Sequence, residues 1–219
     1  MVDDGCDSAE IAIKLIEQAY TLGVEQIILT PHFRGEYNKS PSQLKAEFEK
    51  FSALVKEKNI PIKLFLGQEI FVTDDLKQML ENGELLPLAN SKYLLLEFGY
   101  NNECDIADVV YELVRMGYKP VIAHIERYSY VSLEDVLEIK SLGGLIQINA
   151  QSLFVKDKTG NRKLAKALIK NGLVDFIAGD MHYGRENYMA KANHLVCRKY
   201  GKAVADKLFS ENAKQIIEG

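Results

Sequence analysis

Five segments of the chain carry side chains able to hold divalent metals. They are Thr30-Pro31-His32, Gly67-Gln68-Glu69, Leu96-Glu97-Phe98, His124-Ile125-Glu126-Arg127-Tyr128 and Asp180-Met181-His182. The donors are imidazoles and carboxylates without a thiolate, a set that suits Mn, Zn or Fe. Three carboxylates in one cleft repel one another unless cations neutralise them. Glu69, Glu97 and Asp180 beside His32, His124 and His182 therefore imply more than one divalent ion. Two metals about 3.5–4 Å apart are the usual device for in-line phosphoryl displacement.

Each histidine-bearing segment is followed closely by an arginine: Arg34 after His32, Arg127 after His124, Arg185 after His182. A guanidinium there can clamp a phosphate through two parallel hydrogen bonds. The alternative is a local pair, such as Arg127 with Glu126 or Arg185 with Glu186. Phe33, Phe98, Tyr128 and Tyr183 flank the same positions and could line a rim for an aryl phosphate. Asn149 is either a substrate contact or a turn residue, and His194 is read as structural or exposed.

These segments must be positioned by strands. Apolar runs alternate with helical-period segments six times. Strands are expected at 26–30, broken by Pro31, then at 62–67, 93–98, 120–124, 145–149 and 173–178. Helices are expected from about Asp7 with Asp7 as cap, from Ser40-Pro41 as N-cap and first position, from Thr73/Asp74, over 105–116, from Ser132 with Asp135 three residues on, over 161–170, and from about Arg185 to Ile217 without interruption. Such alternation implies parallel strands with helical crossovers, either as an open doubly wound sheet or as a (β/α) barrel. In both, strand C-termini share one face, so the five segments converge.

Several classes are excluded. The 219 residues carry 27 Lys and Arg against 31 Asp and Glu, a net charge of -4, which leaves no cationic excess for nucleic acid. No apolar run reaches the ~18 residues of a membrane span, and the acidic start Met1-Val2-Asp3-Asp4-Gly5 is unlike a signal peptide. Cys6, Cys104 and Cys197 are too few and too scattered for a disulfide framework, which points to a reducing, cytoplasmic setting. The sixth residue after each cysteine is Ala12, Val110 or Ala203 rather than Arg, so the phosphate loop of a cysteine-dependent phosphatase is missing. No GxGxxG or GxxxxGK pattern supports a nucleotide fold.

Read in order with Val2-Asp3-Asp4-Gly5 and the tail Glu211-Asn212-Ala213-Lys214-Gln215-Ile216, these segments resemble the metal-dependent protein-tyrosine phosphatases of bacterial capsule and exopolysaccharide operons. These are members of the PHP (polymerase and histidinol phosphatase) superfamily. The resemblance covers the whole chain and implies one α/β domain over 1–219, a distorted (β/α)7 PHP-type barrel with a trinuclear centre commonly supplied with Mn. The implied metal ligands are Asp4, His32, Glu69, Glu97, His124, Asp180 and His182, and the implied phosphate contacts are Arg127 and Arg185. The implied reaction is hydrolysis of phosphotyrosine by a metal-activated hydroxide, on the tyrosine-rich tail of a kinase that controls polysaccharide synthesis. The family begins with a strand and an Asp-x-His-x-His segment ahead of Asp-Asp-Gly, whereas here Asp3 follows Met1 almost at once. The expectation is a barrel lacking its first strand, with one weaker metal position and strand edges that favour self-association. A small-metabolite phosphatase of the histidinol-phosphate type, or a phosphotyrosine binder without turnover, are the competing readings.

Overall fold

The computed structural model describes residues 2–101, 103–155 and 161–218. Its strands are all parallel. β1 (Gln26–Leu29) and β2 (His32–Phe33) are two pieces of one run, as are β3 (Lys63–Leu66) and β4 (Glu69–Phe71). Pro31, which has no N–H to donate, interrupts the first run. The Gly67 amide still donates to the Leu29 carbonyl at 2.9 Å, and the Glu69 amide to the Pro31 carbonyl at 3.1 Å, so both runs stay in register across the break. β5 (Tyr93–Glu97), β6 (Lys119–Ile122), β7 (Leu145–Asn149) and β8 (Phe176–Ala178) follow.

β1 pairs with β3, and the remaining strands form one sheet in the order β2-β4-β5-β6-β7-β8. Spatial order equals chain order. A doubly wound sheet reverses its winding at a switch point, so that alternative falls away and the winding is the one-directional kind used by barrels. The sheet stays open: among the described residues β2 pairs only with β4, and β8 only with β7.

Alternation along the strands splits the core. Leu94, Leu96, Ile122, Ile146, Ile148 and Ile177 face the helices, where they meet Val110 and Leu113 of α4 (Ile106–Arg115), Val136 and Ile139 of α5 (Leu133–Ser141), and Leu168 of α6 (Arg162–Lys170). Numbering here counts α1 (Ala9–Thr21), α2 (Pro41–Glu57) and α3 (Leu76–Glu81) before them, and α7 (Met189–Tyr200), α8 (Lys202–Asp206) and α9 (Asn212–Glu218) after. The intervening residues Tyr93, Leu95, Val121 and Phe176 pack on the opposite face with Leu88 and Ile216 of α9. Asn212 secures that last helix by donating to the Asp175 carbonyl at 2.7 Å. A third cluster holds α1 and α2 on β1 and β3 through Ile13, Ile16, Ala19, Val55 and Ile62.

Most caps are where the sequence puts them. Ser40 and Gln43 form a reciprocal capping box with Pro41 in the first turn, and Ser132 pairs with Asp135 in the same way. Three expectations need correction. The cap of α1 is Ser8, whose hydroxyl accepts from the Ile11 amide, and not Asp7. The third helix starts at Leu76 behind Asp75. The terminal helix begins at Met189, is cut at Gly201 by a φ of 93°, and passes through a π turn at Lys207–Glu211. Among the described residues no helix is long and apolar enough to cross a membrane.

Gly67 is required by close approach. A Cβ there would lie 2.7 Å from Leu88 Cδ2 and 3.0 Å from Leu88 Cα, and the second of these is backbone. Gly67→Ala should therefore destabilise the fold by about 1–3 kcal/mol, read as a lower denaturant midpoint. An unchanged midpoint would show that the turn at Leu88 gives way freely.

Candidate metal centre

The ends of the parallel strands carry the sequence-derived donors to one place. His32 opens β2, Glu69 opens β4 beside it, and the two are register partners. Glu97 closes β5, while His124 lies two residues beyond β6 and Asp180 two beyond β8. His124 (φ 33°) and Asp180 (φ 45°) both adopt the left-handed conformation, which costs non-glycine residues energy and concentrates at functional sites. At His124 the chain turns off the strand into the 3₁₀ turn over Ile125–Arg127.

Two groups of donors result, each with ligand atoms within 4.8 Å of one another: Asp4, His32 and His182, and Glu69, Glu97 and His124. Glu69 joins them. One of its oxygens is 3.2 Å from His32 Nδ1 and the other 3.0 Å from His124 Nε2. His124 Nε2 is also 3.7 Å from Glu97. In the first group Asp4 Oδ1 is 3.5 Å from His32 Nε2 and 3.7 Å from His182 Nε2. His182 Nδ1 is 3.5 Å from Asp180 Oδ1, which ties the seventh residue to the cluster.

Glu69, Glu97 and His124 are buried, with relative exposures of 6%, 1% and 2%. Burial would lower the His124 pKa, but a hydrogen bond and the charge from Glu69 outweigh it, so the value is raised. Burial would likewise raise Asp180, yet His124, His182, Arg185 and Arg127 together hold its carboxyl below the usual range. Anionic donors buried this close need positive charge beside them. Nδ1 of His124 is also buried without a hydrogen-bond partner, and Nδ1 of His32, although 3.2 Å from Glu69, is not aligned for a hydrogen bond to it. Facing carboxylates, unpartnered imidazole nitrogens and a donor set free of sulfur fit divalent cations.

The arginines converge on the same carboxylates. Arg127 Nη1 is 3.6 Å and Arg185 Nη1 is 3.5 Å from Asp180 Oδ2. Neither makes the local pair left open by sequence: Glu126 is fully buried and Glu186 is bound to Lys191. Arg34 reaches Glu97 at 3.2 Å. The rim assignment is half corrected. Phe98 and Tyr128 are core residues at 1% exposure, and the Tyr128 hydroxyl bridges the Phe98 amide and the Ala123 carbonyl. Phe33 is half-buried, and Tyr183, 60% exposed, does stand at the surface.

Sequence reasoning missed the residues that hold the donors. Asp3, next to Asp4, caps the His32 amide at 2.9 Å. Tyr100 donates to Glu97 at 2.6 Å, and the Arg127 guanidinium lies 4.4 Å over its ring. Burial, then the bond to Glu97, pushes the Tyr100 hydroxyl pKa up. Asn149 donates to Asp180 at 2.8 Å, while Glu126 accepts from the Asn149 amide at 3.0 Å and from Ser152 at 2.6 Å. The only advance signal for Tyr100 was its place three residues after Glu97 at a strand end.

Known proteins resemble this chain in sequence and in fold. The family model for capsular polysaccharide synthesis, CpsB/CapC, matches residues 1–218. The tyrosine-protein phosphatase CpsB of Streptococcus agalactiae is 34% identical over 231 residues, covering 99% of this chain and 94% of its own length. The tyrosine-protein phosphatase YwqE of Bacillus subtilis is 28% identical, with 99% and 87% covered. Among solved structures, the YwqE and CpsB work on unique metal-dependent tyrosine phosphatases of Bacillus subtilis and Streptococcus pneumoniae provides a chain with a TM-score of 0.91 at 26% identity, covering 99% of this chain and 90% of that one.

Proposed function

Since the chain belongs to the CpsB/CapC family of capsular polysaccharide synthesis proteins, we propose that it is a metal-dependent tyrosine phosphatase acting on a phosphotyrosyl protein. The observation that carries this reading is the junction at Glu69, which brings two imidazole–carboxylate groups together beside two arginines. In this reading Asp4, His32 and His182 hold one cation, and Glu69, Glu97 and His124 hold another. Asp180 borders both and orients the arginines. The metal is taken as Mn, with Zn or Fe as alternatives of the same donor preference. Divalent cations, when bound, supply charge neutralisation and an acidified water for attack on phosphorus.

The protein's own groups do the rest. Arg127 and Arg185 orient the phosphate and offset the charge that spreads over its equatorial oxygens in the transition state. Tyr100 and Arg34 hold Glu97, and Asn149 holds Asp180, so the donors are fixed before substrate arrives. We further read the open sheet as a PHP-type barrel lacking its first strand, forming one catalytic unit over 1–219. The substrate protein is taken as a cytoplasmic tyrosine kinase of polysaccharide synthesis, and self-association through the open sheet edges belongs to the same reading.

The test is hydrolysis of a phosphotyrosine peptide across a manganese titration. Saturable turnover that a chelator removes and added manganese restores is expected. A folded sample silent at every manganese concentration would refute the reading, and preferential turnover of histidinol phosphate would move the site to small metabolites.

A further inference from the structure

Charge is unevenly distributed in this molecule. The 21 residues of α6 and α7 hold seven of the chain's 27 Lys and Arg and none of its 31 Asp and Glu, so everything else carries 20 cations against 31 anions. The seven are Arg162, Lys163, Lys166, Lys170, Lys191, Arg198 and Lys199. Lys166 and Lys199 face each other across the seam between the two helices, and Lys166 is held below the usual lysine range by burial and then by the charges of Arg162 and Lys199. Among the described residues only Lys191 has an acidic partner, Glu186. Like charges kept this close cost stability, and nothing in the metal centre uses them.

Beside them lies a groove of about 450 Å³ between α7 and the turn that follows Asn149. Its floor is Phe154, Ala190 and Leu195, and its rim is Lys191, His194 and Arg198. A relay of side-chain contacts links the groove to the metal centre. Arg185 contacts Asp180, its neighbour Glu186 pairs with Lys191, and Lys191 lies over the Tyr188 ring, which stacks on Phe154 at 5.5 Å.

We propose that this groove and the acid-free faces of α6 and α7 dock an acidic, Asp/Glu-rich polypeptide segment flanking the phosphotyrosine. The inference rests on the phosphatase reading for its substrate, and it names the class of sequence around the scissile residue. An apolar floor with Arg198 on its rim, and Lys166 and Lys199 beside it, suits an extended acidic peptide with interspersed apolar side chains. A flat anionic membrane would meet the lysines without entering the groove. Rim charges of this kind act chiefly on encounter and salt dependence.

The experiment measures two quantities for the wild type and for the triple variant Lys166→Glu, Arg198→Glu, Lys199→Glu. The first is fluorescence anisotropy with unphosphorylated peptides of acidic or neutral flank. The second is manganese-dependent kcat/KM on the matching phosphotyrosine peptides and on p-nitrophenyl phosphate, which has no flank. Wild type should bind the acidic peptide more tightly, with the preference fading as salt rises. The variant should lose about tenfold in affinity and in kcat/KM for the acidic peptide, through KM, and keep its rate on p-nitrophenyl phosphate. Equal affinity of wild type for both flanks, or an equal loss on all substrates, would overturn the proposal. So would a variant that loses binding to phosphatidylserine vesicles while its peptide affinity is unchanged. Should no phosphotyrosine peptide turn over, the phosphatase reading fails on kinetics while the anisotropy comparison still decides the docking surface.

Discussion

Glu69→Gln is expected to reduce manganese-dependent hydrolysis of a phosphotyrosine peptide about a thousandfold, the upper end of the loss on removing a central charge-stabilising group, while Cys197→Ser leaves the rate unchanged. The amide keeps the shape of the side chain but removes the charge lying 3.2 Å from His32 and 3.0 Å from His124. A ligand of one ion alone would leave the other group intact, and excess manganese would then recover part of the rate. Glu69 touches both groups, so no manganese concentration should rescue it. Tyr100→Phe provides the graded control. It removes only the hydrogen bond to Glu97, and loss of such an outer partner typically costs 10–100-fold in affinity or activity. Its deficit should shrink as manganese is raised. Full activity in Glu69→Gln, or dependence on Cys197, would overturn the metal-centred mechanism.

What made the centre legible in the sequence was topology more than motif. Parallel strands place all their C-terminal ends on one side, so a polar residue after each apolar run is a statement about space. His32, Glu69, Glu97, His124, Asp180 and His182 follow from that rule, and the structure gathers them. Asp4 does not end a strand and entered only through family resemblance, yet it lies within reach of His32 and His182. The rule says nothing about which side chains hold the donors in place. Tyr128 looked like a substrate rim because it follows Arg127, but a 3₁₀ turn over Ile125–Arg127 swings it inward against Phe98. Likewise, apolar spacing over 185–217 reads as one helix, and the break at Gly201 depends on a backbone angle that periodicity does not encode. Winding was also undecided at the level of sequence, because an open sheet and a barrel share the same local pattern.

The two arginines lead to a second large effect. Arg127→Lys preserves charge and should still lower kcat/KM roughly a hundredfold, near the lower end of the cost of deleting a preorganised donor. Arg127 is largely buried at 17% side-chain exposure, its guanidinium stacks over Tyr100 at 4.4 Å, and one nitrogen reaches toward Asp180. A lysine ammonium offers neither the flat face for that stack nor a fork for two phosphate oxygens. Arg185 is 42% exposed and, among the described residues, has no ring beneath it, so Arg185→Ala should cost less, about tenfold, because solvent screens the lost charge. Both side chains lean on the same oxygen of Asp180, so their effects should not add, and the double variant should fall short of the product of the singles. Such coupling is expected when two groups share one carboxylate and act on one phosphate. Strict additivity would separate them into independent sites, and an Arg127→Lys enzyme with wild-type kcat/KM would remove Arg127 from the transition state altogether.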